Sequence, residues 1–131
     1  MFVQTGGTLI VDAAGGAPEF ADSAEAELKS IFGPDAKGLD TPLPPDGPLY
    51  NQPDAKVPPV EYRTYARATV LRGAKGPRLR AITAAKRLAV FYSREDLTAG
   101  LVGEPVDGIY GYEPQSATDL MTAILLYAAG K

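Results

Sequence analysis

Apolar residues gather into short blocks separated by clusters of glycine and proline. Thr8-Leu9-Ile10-Val11 is a mostly apolar, β-branched run between Gly6-Gly7 and Asp12-Ala13-Ala14-Gly15-Gly16. This pattern predicts a strand covered on both faces, as in a parallel sheet. Phe20, Ala24, Leu28, Ile31 and Phe32 then repeat at helical spacing until Gly33-Pro34 stops the element. Pro18 suits a first helical turn, whereas Asp22 with Glu25 would make a capping box and a later start. Between 33 and 60 lie Pro34, Pro42, Pro44, Pro45, Pro48, Pro53, Pro58 and Pro59. Prolines this dense exclude a long helix or a central strand and predict an extended loop, with Leu43, Leu49 and Tyr50 as its anchors.

Leu79, Ala81 and Thr83 alternate with Arg80 and Ile82, and Leu88-Ala89-Val90-Phe91-Tyr92 is a continuous apolar run. Both read as strands, joined by Ala84-Ala85-Lys86. Ser93 and Asp96 match a capping box that opens a short turn or helix through Leu97. Gly100, Gly103, Gly108 and Gly111 mark a second loop carrying Tyr110 and Tyr112, whose rings line a groove or pack on the sheet. A final helix from about Pro114 places Ala117, Leu120, Met121, Ile124, Leu125 and Ala128 on one stripe, and Gly130 ends it. The order strand, helix, loop, strand, strand, loop, helix is an α/β arrangement. A first strand of interior character with no neighbour before it leads to the expectation that amino-terminal strands are missing and that an exposed sheet edge is open to pairing with another chain.

The 131 residues suit a single domain over 1–131, and 45% apolar with 22% charged residues is the balance of a folded globular chain. More informative are the zeros: no Cys, no His and no Trp. They remove disulfides, thiolate nucleophiles and imidazole bases together. Formal net charge is −3, but it is uneven. Residues 1–62 hold three basic and ten acidic side chains, 63–87 hold eight basic and none acidic, and 88–131 hold two basic and six acidic. The basic block is either an anion-binding patch or a solvated strand with its loops. Without a stacking platform it does not point to nucleic acid. No signal peptide is visible, and the apolar run Ala117 to Ala129 is too short to span a membrane.

In order, Gly6-Gly7-Thr8-Leu9-Ile10-Val11-Asp12, the helix at Phe20, Pro45-Asp46-Gly47-Pro48-Leu49-Tyr50, Arg78-Leu79-Arg80, and Arg87-Leu88-Ala89-Val90-Phe91-Tyr92-Ser93 with Asp96-Leu97 resemble the bacterial family called domain of unknown function 4159. The resemblance spans essentially the whole chain. It implies a flavodoxin-like, class I glutamine amidotransferase-like α/β fold, of which this chain is expected to be the carboxy-terminal portion. It also implies a setting within a larger, envelope-associated or periplasmic bacterial protein. Where the family often reads His-Pro-Leu, Gly47 stands in place of the histidine.

A glutaminase needs a Cys thiolate and a His base, and this chain has neither. No serine lies in a Gly-x-Ser-x-Gly setting, and there is no dinucleotide fingerprint or P-loop. The sequence therefore predicts a non-catalytic binding or interaction domain for a small molecule or protein partner, with no cofactor implied. Candidate ligand-binding residues are Asp12, Gly15, Gly16, Ser93, Arg94, Asp96 and Tyr110, because open α/β sheets bind ligands outside the carboxyl ends of their strands. Asp12 either faces a ligand or accepts hydrogen bonds from loop amides. Ser93 at a strand end is where a nucleophile sits, but capping the next turn also accounts for it. The alternative is a carboxylate-based or metal-assisted hydrolase using Asp12 and Asp96, with Glu95 beside them.

Overall fold

A computed structural model describes residues 2–13, 16–63, 76–102 and 111–130. Its elements are β1 (Leu9–Asp12), α1 (Pro18–Phe32), a 3-10 helix (Gly33–Asp40), β2 (Asn51–Gln52), β3 (Ala55–Lys56), β4 (Arg80–Ala84), β5 (Arg87–Ser93), α2 (Thr98–Leu101) and α3 (Pro114–Gly130), after a single 3-10 turn at Val3–Thr5. β5 is central in a three-stranded sheet of order β1-β5-β4, and β2 and β3 form a separate hairpin.

The main sheet is mixed, where the sequence pattern predicts a parallel one. β1 runs parallel to β5, with Leu9 opposite Val90 and Asp12 opposite Ser93. β4 runs antiparallel, because only Ala85 and Lys86 separate it from β5. Both turn residues have positive φ, 53° and 63°, the backbone of a tight hairpin. A connection that short reverses the chain, whereas parallel neighbours need a crossover. The run at Thr8 to Val11 is covered on both faces, by way of Ile10 on one and Val11 on the other, but less completely than its composition suggests. Among the described residues β1 is an edge strand: Leu9 is 39% exposed and Ile10, Val11 and Asp12 are half-buried.

Side chains from the two faces of the sheet enter separate clusters. Val11, Ile82, Val90 and Tyr92 pack with Val3, Leu28, Ala36 and Leu39 beneath α1 and the 3-10 helix. Ile10, Ala81 and Phe91 pack with Leu49, Tyr50, Leu97, Leu120, Ala123 and Ile124 beneath α2, α3 and the hairpin. The result is a three-layer arrangement. α1 starts at Pro18 rather than at a box of Asp22 and Glu25, and its inward stripe is Ala21, Ala24, Leu28 and Phe32. Phe20 and Ile31, expected in the core, are 51% and 52% exposed. The helix is rotated because Glu25 also faces inward, where cationic partners receive it. On α3 the buried face is Ser116, Ala117, Leu120, Ala123 and Ile124, and Leu125 is exposed. Ser116 turns inward because its Oγ accepts the Glu61 N–H at 2.8 Å.

The proline-rich segment is less extended than its composition suggests, since it contains the 3-10 helix and the small hairpin. Prolines lack N–H groups, so side-chain amides do much of the fastening. Asn51 Nδ2 donates to the carbonyls of Pro45 and Gly47, and Gln52 Nε2 donates to Leu49 and to Ala123 on α3. Leu49 and Tyr50 are buried anchors as expected, and Leu43 packs partly against them.

The 3-10 helix lies so close to β4 that a Cβ on Gly38 would sit 2.2 Å from the Ala81 carbonyl oxygen. Gly38→Ala is therefore expected to cost at least about 1–3 kcal/mol, because backbone must move to admit the methyl group. Urea unfolding would show a lower midpoint with an unchanged slope, while Gly130→Ala, which meets nothing within 4 Å, shifts little.

Candidate functional site

β1 and β5 end side by side. Asp12 is opposite Ser93, and the Ala13 N–H continues the ladder by donating to the Ser93 carbonyl at 3.1 Å. Beyond β1 the chain turns through Gly16, whose φ of +72° favours glycine and whose N–H returns to the Ala13 carbonyl at 2.8 Å. It then enters α1 through Ala17, which supplies no side-chain cap. Gly15 lies outside the described residues. Beyond β5, the buried Ser93 hydroxyl donates to the Glu95 carbonyl at 2.7 Å and so bends the chain, instead of capping α2 as its spacing suggests.

Two aspartates cap α2. Asp12 Oδ2 accepts the N–H groups of Leu97 and Thr98, both at 3.0 Å, and the Thr98 hydroxyl donates to the same carboxylate. Asp96 Oδ1 accepts the Ala99 N–H at 2.7 Å. The sequence-based convergence of Asp12 with Asp96 thus appears as joint capping of one turn. A carboxylate has about four acceptor positions, and Asp12 devotes its own to three donors from α2. Among the described residues no group of three or more acidic side chains is gathered as a metal-binding set.

Arg94 turns toward α1. It pairs with Asp22 at 3.0 Å and with Glu25, which also accepts the Tyr92 hydroxyl at 2.8 Å and lies 3.8 Å from Arg80. Burial opposes the charge on Arg94, but its bonds to Glu25 and Asp22 outweigh that effect and raise its pKa. Burial, followed by the Glu25 carboxylate, likewise pushes the Tyr92 phenol up. This cluster ties α1 to the sheet.

The most unusual carboxyl at this end is Glu95. Its side chain is only 7% exposed, and Oε1 is buried without a hydrogen bond among the described residues. Among the described residues its ion-pair partner is the Arg78 guanidinium, with Nε at 3.8 Å. Burial raises the Glu95 pKa against the pull of Arg78, Arg80 and Arg94. Beside it Tyr62 and Tyr112 stack with centroids 4.7 Å apart. Burial pushes the Tyr62 phenol up to about 12 and the Tyr112 phenol well above its ordinary value. Extending the alternation of β5 beyond Phe91 and Ser93 would have placed Glu95 on the α3 face. The expected packing of the second loop on the sheet is seen at Tyr112, while Tyr110 lies outside the described residues.

The basic block does not form one patch among the described residues. Arg63 donates to the Tyr112 carbonyl, Arg80 to the Leu39 carbonyl, and Arg87 to Val3, Gly7 and Thr8. These guanidiniums stitch carbonyls together inside the fold. Arg67, Arg72 and Lys75 lie outside the described residues, as does any patch they form. No described helix is long and apolar enough to cross a membrane.

Asp12→Ala is expected to lower stability by about 1–2 kcal/mol, the cost of removing a helix cap, with Asp12→Asn losing less because it keeps one oxygen acceptor. Thermal melts would show this graded loss. Equal melting of the wild type and the alanine variant would mean that the α2 bonds contribute nothing.

A search of curated proteins and one of solved structures returned no match. The family model described as Domain of unknown function (DUF4159) matches residues 1–129. With nearly the whole chain matched, this α/β protein belongs to the domain of unknown function 4159 family.

Proposed function

We propose that this domain is a non-catalytic binding module whose ligand meets the carboxyl ends of β1 and β5. The observation that carries this reading is the parallel register of Asp12 with Ser93, which ends both strands at the same level. Ligands of open α/β sheets bind at such ends. Asp12, Ser93 and Asp96 hold the rim in shape through their bonds to backbone. The turn at Gly16 and the partly exposed Arg94 face the ligand, while Gly15 and Tyr110, the other candidates, lie outside the described residues. Lack of Cys and His removes the familiar nucleophile-base pairs, which favours binding over catalysis. The family resemblance adds the setting, a larger envelope-associated bacterial protein, and a flavodoxin-like ancestry for the sheet.

An amide-resolved NMR screen of neutral, anionic and cationic small molecules tests this reading. Perturbations should concentrate at Gly16, Ser93, Arg94 and Thr98, and Arg94→Ala should weaken binding about tenfold, the loss of one charge-assisted contact. A library without hits at these amides, or hits confined to the separate cleft lined by Gln52, Asp54, Leu126 and Gly130 between the hairpin and the end of α3, would contradict it.

A further inference from the structure

Four chain segments meet around Glu95. Tyr62 bridges Tyr112, and Asp96 bridges Gly111. The Arg63 N–H donates to the Gly111 carbonyl at 2.8 Å, the Tyr112 N–H to Asp96 at 3.2 Å, and the Glu113 N–H to Glu61 at 2.9 Å. The Tyr62 hydroxyl donates to the Gly76 carbonyl at 2.7 Å, and the Tyr112 hydroxyl accepts the Arg78 N–H at 2.9 Å. The two rings stack on each other with centroids 4.7 Å apart. Segments 61–63, 76–78, 95–97 and 111–113 are therefore joined by backbone and phenol hydrogen bonds, with one buried carboxyl in their midst.

We propose that Glu95 is a proton-responsive clasp, which holds these segments together when its carboxyl is neutral and loosens them when the proton leaves. Among the described residues the titratable and charged groups facing it are Arg78 from the segment before β4, Arg80 on β4, Arg94 beside it, and the phenols of Tyr62 and Tyr112; the Arg63 guanidinium bonds within the same cluster. The Tyr62 phenol donates to the Gly76 carbonyl, the Tyr112 phenol accepts from the Arg78 N–H, and the Arg78 guanidinium stands too far away for a hydrogen bond to Oε1. Arg78 is also 32% exposed, so water screens its attraction. A neutral carboxyl is tolerated in such a place far better than a carboxylate, whose buried oxygen lacks a donor among the described residues.

The direction follows from linkage. Burial raises the native pKa of Glu95 above its unfolded value, so the clasped state holds a proton that the opened state releases. Its contribution is fully present below the unfolded pKa and is lost as pH rises through the native one. Opening then grows by at most about tenfold per pH unit, the limit for a single proton.

Amide hydrogen exchange, corrected for base-catalysed chemistry, tests the clasp in the full chain. Protection at Arg63, Arg78, Tyr112 and Glu113 should fall with rising pH across the titration of Glu95, while Val90 and Phe91 on β5 keep theirs. Glu95→Gln should show acid-form protection at every pH, as should Glu95→Met, an apolar replacement that serves if the amide variant folds poorly. The proposal is overturned if wild-type protection is independent of pH, or if either variant declines in parallel with the wild type.

Discussion

Burial of β5 on both faces and along both edges is the constraint from which the rest of the structure follows. Ala89, Val90, Phe91, Tyr92 and Ser93 are each 1% exposed or less. Val90 and Tyr92 require α1 and the 3-10 helix on one side, and Phe91 requires α3 and the hairpin on the other. Burying an aromatic side chain such as Phe91 is worth roughly 1.5–3 kcal/mol. Hydrogen bonding to β1 and β4 then satisfies the backbone that this burial removes from water.

Such a strand must end somewhere, and its carboxyl end is where polar groups enter the interior. Ser93 satisfies itself on the Glu95 carbonyl, and Asp12 and Asp96 cap α2. Arg94 and Glu25 neutralise one another across the layer boundary. Glu95 stands apart because its Oε1 has no comparable donor among the described residues. The same strand end therefore supplies the well-satisfied rim proposed for binding and the carboxyl proposed to respond to protons.

Local patterning made most elements legible. The β-branched run before Asp12, the stop at Gly33-Pro34, the apolar run at 88–92 and the helix from Pro114 all correspond to observed elements. What escaped the pattern involves partners far along the chain. Phe20 is exposed because Glu25 finds its cations on β4 and beyond β5, which rotates the inward stripe of α1. The short Ala84-Ala85-Lys86 link already implied a reversal between β4 and β5, but the turn type was hidden because Ala85 and Lys86 adopt positive φ without the glycine or asparagine that usually announces it. The cap of α2 comes from Asp12, 85 residues before Leu97. Residue types could nominate Asp12, Ser93, Arg94 and Asp96, but only the packed structure shows which lone pairs are already engaged.

A carboxyl carbon NMR titration of Glu95, assigned through Glu95→Gln, is the most direct test of this account. The buried environment predicts that Glu95 titrates above the ordinary carboxylate range while still neighbouring Arg78. Titration at or below that range would show that Arg78 outweighs burial, and would contradict both the neutral clasp and the view of this strand end as a dry, donor-poor interior.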